Sequence, residues 1–406
     1  MNKEKAITRQ KYASIFMAVG GVIFVFGMIF GLFFRTKKVY DLPWLIAIIG
    51  AISVCYGIAQ MNNRNKLGDE VSFSGKKVKS FFLKYALIFA LFVLIVVIIF
   101  IEPNFCQKDV LLDILAQSSI RLIIALGICM TLLIAGTDLS AGRMVGLAAV
   151  ISTSMLQDPS YANRFFPHLP MLPIILPILL AVAACGIFGI LNGFLVAKFN
   201  MHPFIATLAT QVMIYGFCSL YFDLPPNNSQ PIGGVRNDFT ALAQTKLPGN
   251  ISILIPIALV VGVIMWFILN KTVFGKNIYA IGGNMEAARV SGVNVFKTLM
   301  GIFILAGILY GVGGVLEAAR TAGATNNYGN GYELDAIAAC CVGGVSLAGG
   351  IGKVSGIVVG VLIFTVIQYG LQFINVSPMW QQVIKGLIIM VAVAIDLSKY
   401  KKVLWH

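Results

Sequence analysis

Apolar stretches long enough to cross a lipid bilayer recur along the whole chain, and this recurrence limits the fold more than any other feature. A spanning helix needs about 20 predominantly apolar residues. Charged residues make up only 11% of the 406 residues, whereas a soluble domain carries about 25%. We therefore predict an all-α polytopic membrane protein. The predicted spans are 13–34, 43–60, 84–101, 118–135, 143–157, 176–197, 203–222, 251–270, 299–316, 334–349, 354–373 and 382–397.

The chain divides at a basic linker rich in Ser, Gly and Lys, residues 61–83. We predict an N-terminal extension over 1–80, with two transmembrane helices and this linker in the cytoplasm, followed by a ten-helix domain over 81–406. Two spans of the second domain, 143–157 and 334–349, are short and interrupted by glycine. They are either full or re-entrant helices, because irregular backbone at membrane depth is tolerated where protein or a water-filled cavity surrounds it.

The distribution of Lys and Arg predicts the orientation. With the N-terminus in the cytoplasm and every span crossing, most of the 30 basic residues lie on the cytoplasmic side, as the positive-inside rule requires. Both termini and the turn at Arg143 are then cytoplasmic, and residues 317–335 lie at the outer mouth. The net charge of +14 is explained by topology and by contact with anionic lipid, so we predict no nucleic-acid partner.

Motifs of catalytic chemistry are absent from the sequence. His168, His202 and His406 have no zinc-ligand spacing, and GxSxG, HExxH and GxxxxGK[ST] do not occur. The seven cysteines contain no CxxC pair. We therefore predict no catalytic residue, no metal site and no cofactor bound by this chain.

The most unusual polar segment is 284–292, which we predict to be a cytoplasmic helix of about two turns. Asn284 can cap the helix, and Glu286 lies in the first turn, where negative charge is favourable. Ala287 and Ala288 are strong helix formers, and Gly292 provides a stop. A membrane protein has little need of such a helix unless something outside the membrane acts on it.

A second polar segment, residues 136–143, interrupts two apolar spans. Thr137, Asp138, Ser140 and Arg143 either line a substrate pathway or form a tight cytoplasmic turn with an Asp138–Arg143 pair. Asn192, within span 176–197, either bonds to a neighbouring helix or faces the same pathway.

A third polar cluster follows span 299–316. Amides, hydroxyls and carboxylates suit a sugar, which offers hydroxyls for hydrogen bonds and C–H faces for stacking. A docking surface for a soluble partner and a solvated loop are the other interpretations. The pathway candidates from this cluster are Asn326, Asn327, Glu333 and Asp335.

Lys385 lies in the last predicted span. We interpret it as a lysine whose long side chain reaches the membrane interface.

The segment Glu286-Ala287-Ala288, followed by Gly292, resembles the cytoplasmic coupling motif of ABC-importer permease subunits. Further stretches resemble the ribose/galactose branch of sugar permeases, and Gly136-Thr137-Asp138 with Arg143 is similar to its galactose/methyl-galactoside members. The resemblance covers about residues 84–400 and does not extend to residues 1–80. The stretches that carry it are 136–150, 191–193, 203–208, 274–284, 324–327 and 332–340.

This resemblance implies a permease that moves galactose, methyl galactoside or glucose across the bacterial inner membrane by alternating access. It implies a homodimer, a cytoplasmic ATPase subunit that uses ATP and Mg²⁺, and a soluble periplasmic sugar-binding protein. A ribose or nucleoside permease of the same branch, or an ion-coupled secondary transporter, remains an alternative. The residues expected to couple to the ATPase are Asn284, Glu286, Ala287, Ala288, Arg289 and Gly292.

Overall fold

Helices form almost all of the described chain. The computed structural model describes residues 98–100 and 102–401. A 3₁₀ turn at Pro103–Cys106 precedes the first long helix. The elements that follow are α1 Lys108–Leu133, α2 Ala141–Met155, α3 Ile175–Phe199, α4 Pro203–Phe222, α5 Asn237–Gln244, β1 Lys246–Leu247, β2 Ile251–Ser252, α6 Leu254–Lys271, α7 Val273–Gly283, α8 Met285–Val290, α9 Val295–Thr321, α10 Tyr332–Val342, α11 Val354–Phe373 and α12 Pro378–Lys401.

Six of the described helices are long and apolar enough to span a membrane: α1, α3, α4, α6, α9 and α11. The predicted spans 203–222 and 354–373 agree with α4 and α11 at both ends. Spans 13–34, 43–60 and nearly all of 84–101 lie outside the described residues, as does the predicted extension 1–80. The structure therefore confirms a helical polytopic membrane protein.

The two short spans predicted from the sequence are short helices. Helix α2 has 15 residues and α10 has 11, which gives lengths of about 22 and 16 Å. Neither crosses a hydrocarbon core of about 30 Å alone. For span 334–349 the alternative of a full helix is excluded, because α10 ends at Val342 and a glycine-rich turn follows, with Gly344 at a φ of +85°.

Helix α9 lies at the centre of the bundle and packs against α2, α3, α5 and α7. Phe303 and Tyr310 are almost completely buried. Small residues let α3 and α9 approach to backbone contact. A methyl group at Gly189 would lie 2.5 Å from the carbonyl oxygen of Phe303, and one at Gly307 would lie 2.6 Å from that of Cys185.

Helices α3, α4 and α6 present large apolar side chains on the outside of the described chain. Ile187, Val212 and Phe267 are each more than half exposed. A surface of this kind is costly in water over such an area and is suited to lipid. The outward faces therefore agree with the membrane location that the hydropathy indicates.

Two ends of the bundle can be distinguished. At the hairpin end, β1 pairs with β2, and isolated bridges join Gln157 to Val235 and Ile232 to Ala324. At the α8 end, the hydroxyl of Tyr279 donates to the carbonyl oxygen of Gly352 at 2.9 Å. Burial raises the pKa of this phenol, so it stays protonated as a donor.

The described chain forms two units. In the first, which contains residues 98–111 except Ile101 together with Gly370–Val376, the rings of Phe105 and Phe373 meet edge to face at 5.7 Å. The second contains Leu112–Tyr369 and the chain from Ser377 onward. Every candidate site residue lies in the second unit.

Candidate functional site

The segment between α1 and α2 is non-helical and is held in place by buried polar side chains. Asp138 is 1% exposed and Ser140 is fully buried. The backbone N–H and the hydroxyl of Ser140 donate to Oδ1 of Asp138 at 2.9 and 2.6 Å. A buried carboxylate needs such donors, because burial removes the hydrogen bonds that it would form with bulk water.

The same polar chain continues into α3 and α4. Nδ2 of Asn192 donates to the Ser140 hydroxyl at 3.0 Å, and the Thr210 hydroxyl donates to Oδ1 of Asn192 at 2.7 Å. Asn192 and Thr210 are fully buried. Of the pathway candidates, Asp138, Ser140 and Asn192 therefore fix three elements together and do not line an open surface. Thr137 is half-buried, and its carbonyl oxygen accepts from Thr207 at 3.2 Å.

Arg143 does not pair with Asp138, so the interpretation as a tight Asp138–Arg143 turn is wrong. Its Nη1 donates to Oδ1 of Asn327 at 3.2 Å, and its Nη2 donates to Oδ1 of Asn330 at 3.0 Å. The guanidinium carbon lies 4.4 Å from the ring centroid of Tyr215. We call these four residues the Arg143 cluster: Arg143, Tyr215, Asn327 and Asn330.

The topology inferred from the sequence placed Arg143 in the cytoplasm and Asn327 at the outer mouth, and this separation is wrong. Residues 322–331, here called the return loop, fold back from the hairpin end into the bundle. The carbonyl oxygen of Tyr328 lies against Gly146, which is nine residues before the end of α2, or about 13 Å along it. Two segments far apart in sequence therefore meet inside the bundle.

Glu333, in the first turn of α10, lies beneath this meeting point. Glu333 is 5% exposed, and its carboxylate faces Gly142. Among the described residues, its Oε2 has no hydrogen-bond partner. Glu333 is therefore a buried group beside the Arg143 cluster, and its role in a pathway stays a prediction.

Asp335 takes part in a different arrangement. Nζ of Lys385 lies 3.1 Å from its carboxylate, and Nε2 of Gln368 donates to its Oδ2 at 2.9 Å. These bonds join α10, α11 and α12. The interpretation of Lys385 as a lysine that reaches the interface is wrong, since its ammonium is held inward by the buried carboxylate.

Asn326 binds the return loop to α4. Its Nδ2 donates to the hydroxyl of Ser219 at 3.4 Å, one helical turn beyond Tyr215. Neither Tyr215 nor Asn330 was singled out in the sequence. Tyr215 is one of several aromatic residues in an apolar span, and only its contact with a guanidinium distinguishes it.

The helix predicted at 284–292 is present as α8, Met285–Val290, and it is preceded by a second helix that the sequence did not predict. Oδ1 of Asn284 accepts from the backbone N–H of Ala287 at 2.9 Å, which is the predicted cap. Gly292 follows with a φ of +86°, a conformation that favours glycine. Helix α7 occupies Val273–Gly283, between the predicted spans 251–270 and 299–316.

The side chains of α8 divide into a buried and an exposed set. Ala288 is 5% exposed, and α8 lies against α7 and α9. Glu286 and Arg289 form an ion pair with each other at 3.0 Å, and their side chains are 74% and 51% exposed. Helix α8 thus packs against α9 through its buried side and exposes its charged side chains on the opposite side.

Comparison with known proteins identifies sugar permeases as relatives of this chain. The chain is 50% identical over 332 residues to the galactose/methyl galactoside import permease protein of Haemophilus influenzae, which covers 80% of this chain and 98% of that protein. It is 49% identical over 315 residues to the protein of that name from Escherichia coli, at 77% and 93% coverage. It is 35% identical over 314 residues to the ribose import permease protein of Bacillus subtilis, at 76% and 91% coverage.

The family described as branched-chain amino acid transport system / permease component matches residues 110–393. No solved structure matches the chain. The family match covers nearly all of the described helices, and the relatives extend over most of their own length. The chain therefore belongs to this family of ABC-importer permease components.

Proposed function

We propose that this chain is the permease subunit of an ATP-driven importer of galactose and methyl galactoside in the bacterial inner membrane. The observation that carries the proposal is the 50% identity to a galactose/methyl galactoside permease over 98% of that protein's length. Ribose permeases are similar at 33 to 35% identity, so a pentose is the weaker candidate. Glucose, which differs from galactose in the configuration at one carbon, is also among the proposed substrates.

The translocation path is proposed to run along the Arg143 cluster. Asn327 and Asn330 are exposed, Arg143 is half-buried, and Tyr215 is 40% exposed. Lipid tails cannot solvate a guanidinium or a free amide at membrane depth. This polar surface therefore requires water or protein against it. A second copy of the chain would enclose it, and we propose a homodimer with the sugar path at or near this surface.

The proposed organisation is a ten-helix permease domain over 81–406, preceded by two transmembrane helices within 1–80, with both termini in the cytoplasm. Its partners are a cytoplasmic ATPase subunit, which uses ATP and Mg²⁺, a soluble periplasmic sugar-binding protein and membrane lipid. The charged, exposed face of α8 supports the placement of the ATPase at the α8 end.

ATP dependence tests the proposed function. Proteoliposomes that contain this chain, its ATPase subunit and the sugar-binding protein are expected to accumulate radiolabelled galactose only when ATP is supplied. Proteoliposomes with this chain alone are expected to show no uptake under an imposed H⁺ or Na⁺ gradient. Uptake by the chain alone under such a gradient would instead establish an ion-coupled secondary transporter.

The proposed coupling residues can be tested by exchanging charges on α8. Glu286→Arg and Arg289→Glu, singly and together, are each expected to lower ATP-driven uptake at least tenfold. If these charges served only their own ion pair, each single variant would cost about 0.5 kcal/mol, and the double variant would restore the pair. Contact with a partner surface makes the double variant as inactive as the single ones. The measurement is initial uptake rate beside ATP hydrolysis in the same vesicles.

A matched control is Lys198→Glu, which reverses an exposed charge just before the end of α3. It is expected to retain uptake within about twofold, since an exposed charge without a required partner contributes little. Normal uptake by the Glu286→Arg/Arg289→Glu double variant would show that α8 does not carry the coupling contact.

A further inference from the structure

The aromatic ring of Tyr215, on α4, lies beside two amides and a guanidinium. Arg143 lies over its ring at 4.4 Å, a distance typical of a cation–π contact. The Tyr215 residue nevertheless keeps 40% of its surface exposed. The guanidinium therefore orients the ring without covering it, and part of the ring surface remains available to another molecule.

The two amides of the Arg143 cluster have a fixed orientation. A guanidinium only donates hydrogen bonds, so the atom of each amide that faces Arg143 is its oxygen. The NH₂ groups of Asn327 and Asn330 consequently point away from Arg143. Within the described part of the chain, neither NH₂ group has a hydrogen-bond partner, and both residues are exposed. They are four N–H donors without acceptors.

The cluster lies well inside the bundle. Arg143 is 12 residues from the end of α2, and Tyr215 is seven residues from the end of α4. These separations correspond to about 18 and 10 Å along the helices. Unpaired donors at such depth are costly unless a ligand or water accepts from them. Within the described residues, no carboxylate forms an ion pair with Arg143, although the buried Glu333 carboxylate is near enough for an electrostatic interaction with it. The surface therefore offers an aromatic face and hydrogen-bond donors.

We infer that Tyr215 and Asn330 contact the transported sugar, with the Tyr215 ring against an apolar C–H face of a pyranose and the Asn330 NH₂ on a ring hydroxyl. A neutral pyranoside has both features, several hydroxyl oxygens that accept hydrogen bonds and a face of C–H groups. Arg143 acts as a positioning residue, because it holds the ring and both amide oxygens at once. This inference rests on the proposed function, since it assigns contacts within the same path.

Four variants of the assembled transporter test the assignment, with galactose and methyl galactoside as substrates. Tyr215→Leu is expected to lower the sugar moved per ATP hydrolysed about tenfold, the loss of a stacked ring. Tyr215→Phe keeps the ring and is expected to retain at least about half of the wild-type ratio. Phe217→Leu, the matched control, removes the ring of a residue that is 54% exposed and lies two positions away on the same helix, and is expected to change the ratio less than about twofold.

Asn330→Asp separates a sugar contact from a purely structural role. The carboxylate would still accept from Arg143, and more strongly, but it has no NH₂ to donate. A structural role predicts unchanged transport, whereas the inferred contact predicts a loss of about fivefold. Because Asn330→Asp keeps the hydrogen bond from Arg143, this variant is expected to fold, and it tests the inference independently of Tyr215→Leu.

Two outcomes would overturn the inference: Tyr215→Leu equal to Phe217→Leu, or Asn330→Asp equal to wild type. Either would leave the proposed function intact as long as the wild-type transporter takes up galactose with ATP. A wild-type transporter that takes up no galactose would instead reject the proposed function. The two failures are therefore distinguished within one set of vesicles.

Discussion

Gly142→Ala is expected to abolish uptake and to reduce the yield of folded protein, although it adds only one methyl group. That methyl would collide with Oε2 of Glu333 and with the carbonyl oxygen of Gly329. A carboxylate can rotate away, but the Gly329 carbonyl moves only if the return loop moves. Overpacking of a tight interior costs about 1–3 kcal/mol. Displacement of the loop would also separate Asn327 and Asn330 from Arg143, so transport is lost even where the chain still folds.

Gly216→Ala is the matched control for this prediction. Gly216 lies on α4, and a methyl group there meets nothing within 4 Å. Alanine favours a helix by about 1 kcal/mol over glycine, so this variant is expected to equal or exceed the wild type. The readouts are the monodisperse fraction in fluorescence-detected gel filtration and the initial uptake rate. Normal yield and uptake with Gly142→Ala would mean that the return loop does not lie against α2 as described.

Lys385→Met is expected to lower the free energy of unfolding by about 3–5 kcal/mol, the cost of leaving one partner of a buried ion pair alone. Among the described residues, Asp335 would keep only the side chain of Gln368 as a side-chain donor, at 2.9 Å. The Asp335 side chain is 10% exposed, so little water can reach the carboxylate in place of the lost ammonium. The measurement is thermal unfolding of the purified chain in lipid nanodiscs, with the wild type beside it.

The double variant Asp335→Asn/Lys385→Met separates the pair from the packing around it. With both charges removed, Gln368 can still donate to the new amide oxygen, and most of the lost stability is expected to return. Lys353→Met removes an exposed lysine and is expected to change stability by less than about 0.5 kcal/mol. Equal loss in the single and double variants would show that Lys385 acts through its packing and not through its charge.

Hydropathy predicted the long helices well, because a span is determined locally by about 20 apolar residues in sequence. Span 203–222 equals α4, and span 354–373 equals α11. It failed where a helix continues into polar sequence, as α1 does from Lys108 to Gln117 before its apolar part. Such extensions depend on helix propensity and on packing against neighbouring helices, and hydropathy reports neither of these.

Helix α7 was missed because its sequence argues against it. Gly275, Gly282 and Gly283 lie within 11 residues, and each glycine in a helix costs about 1 kcal/mol relative to alanine. The helix forms because Thr272 caps its first turn and because Ile278 and Ile281 are buried against the bundle. Tertiary burial therefore outweighs local preference here, whereas α8 was predicted because its cap, its alanines and its final glycine all favour a helix locally.

The class of the protein, the long helices and the capped helix α8 can be predicted from the amino-acid pattern, since each follows from residues close together in the chain. The same pattern points to most of the polar candidates. Their contacts become evident in three dimensions: Asp138, Ser140 and Asn192 are buried in one network, Asp335 is paired with Lys385, and Arg143 meets Asn327 across 184 residues. Burial and pairing depend on contacts between distant segments, and close glycine packing at Gly142, Gly146 and Gly329 allows those contacts to form.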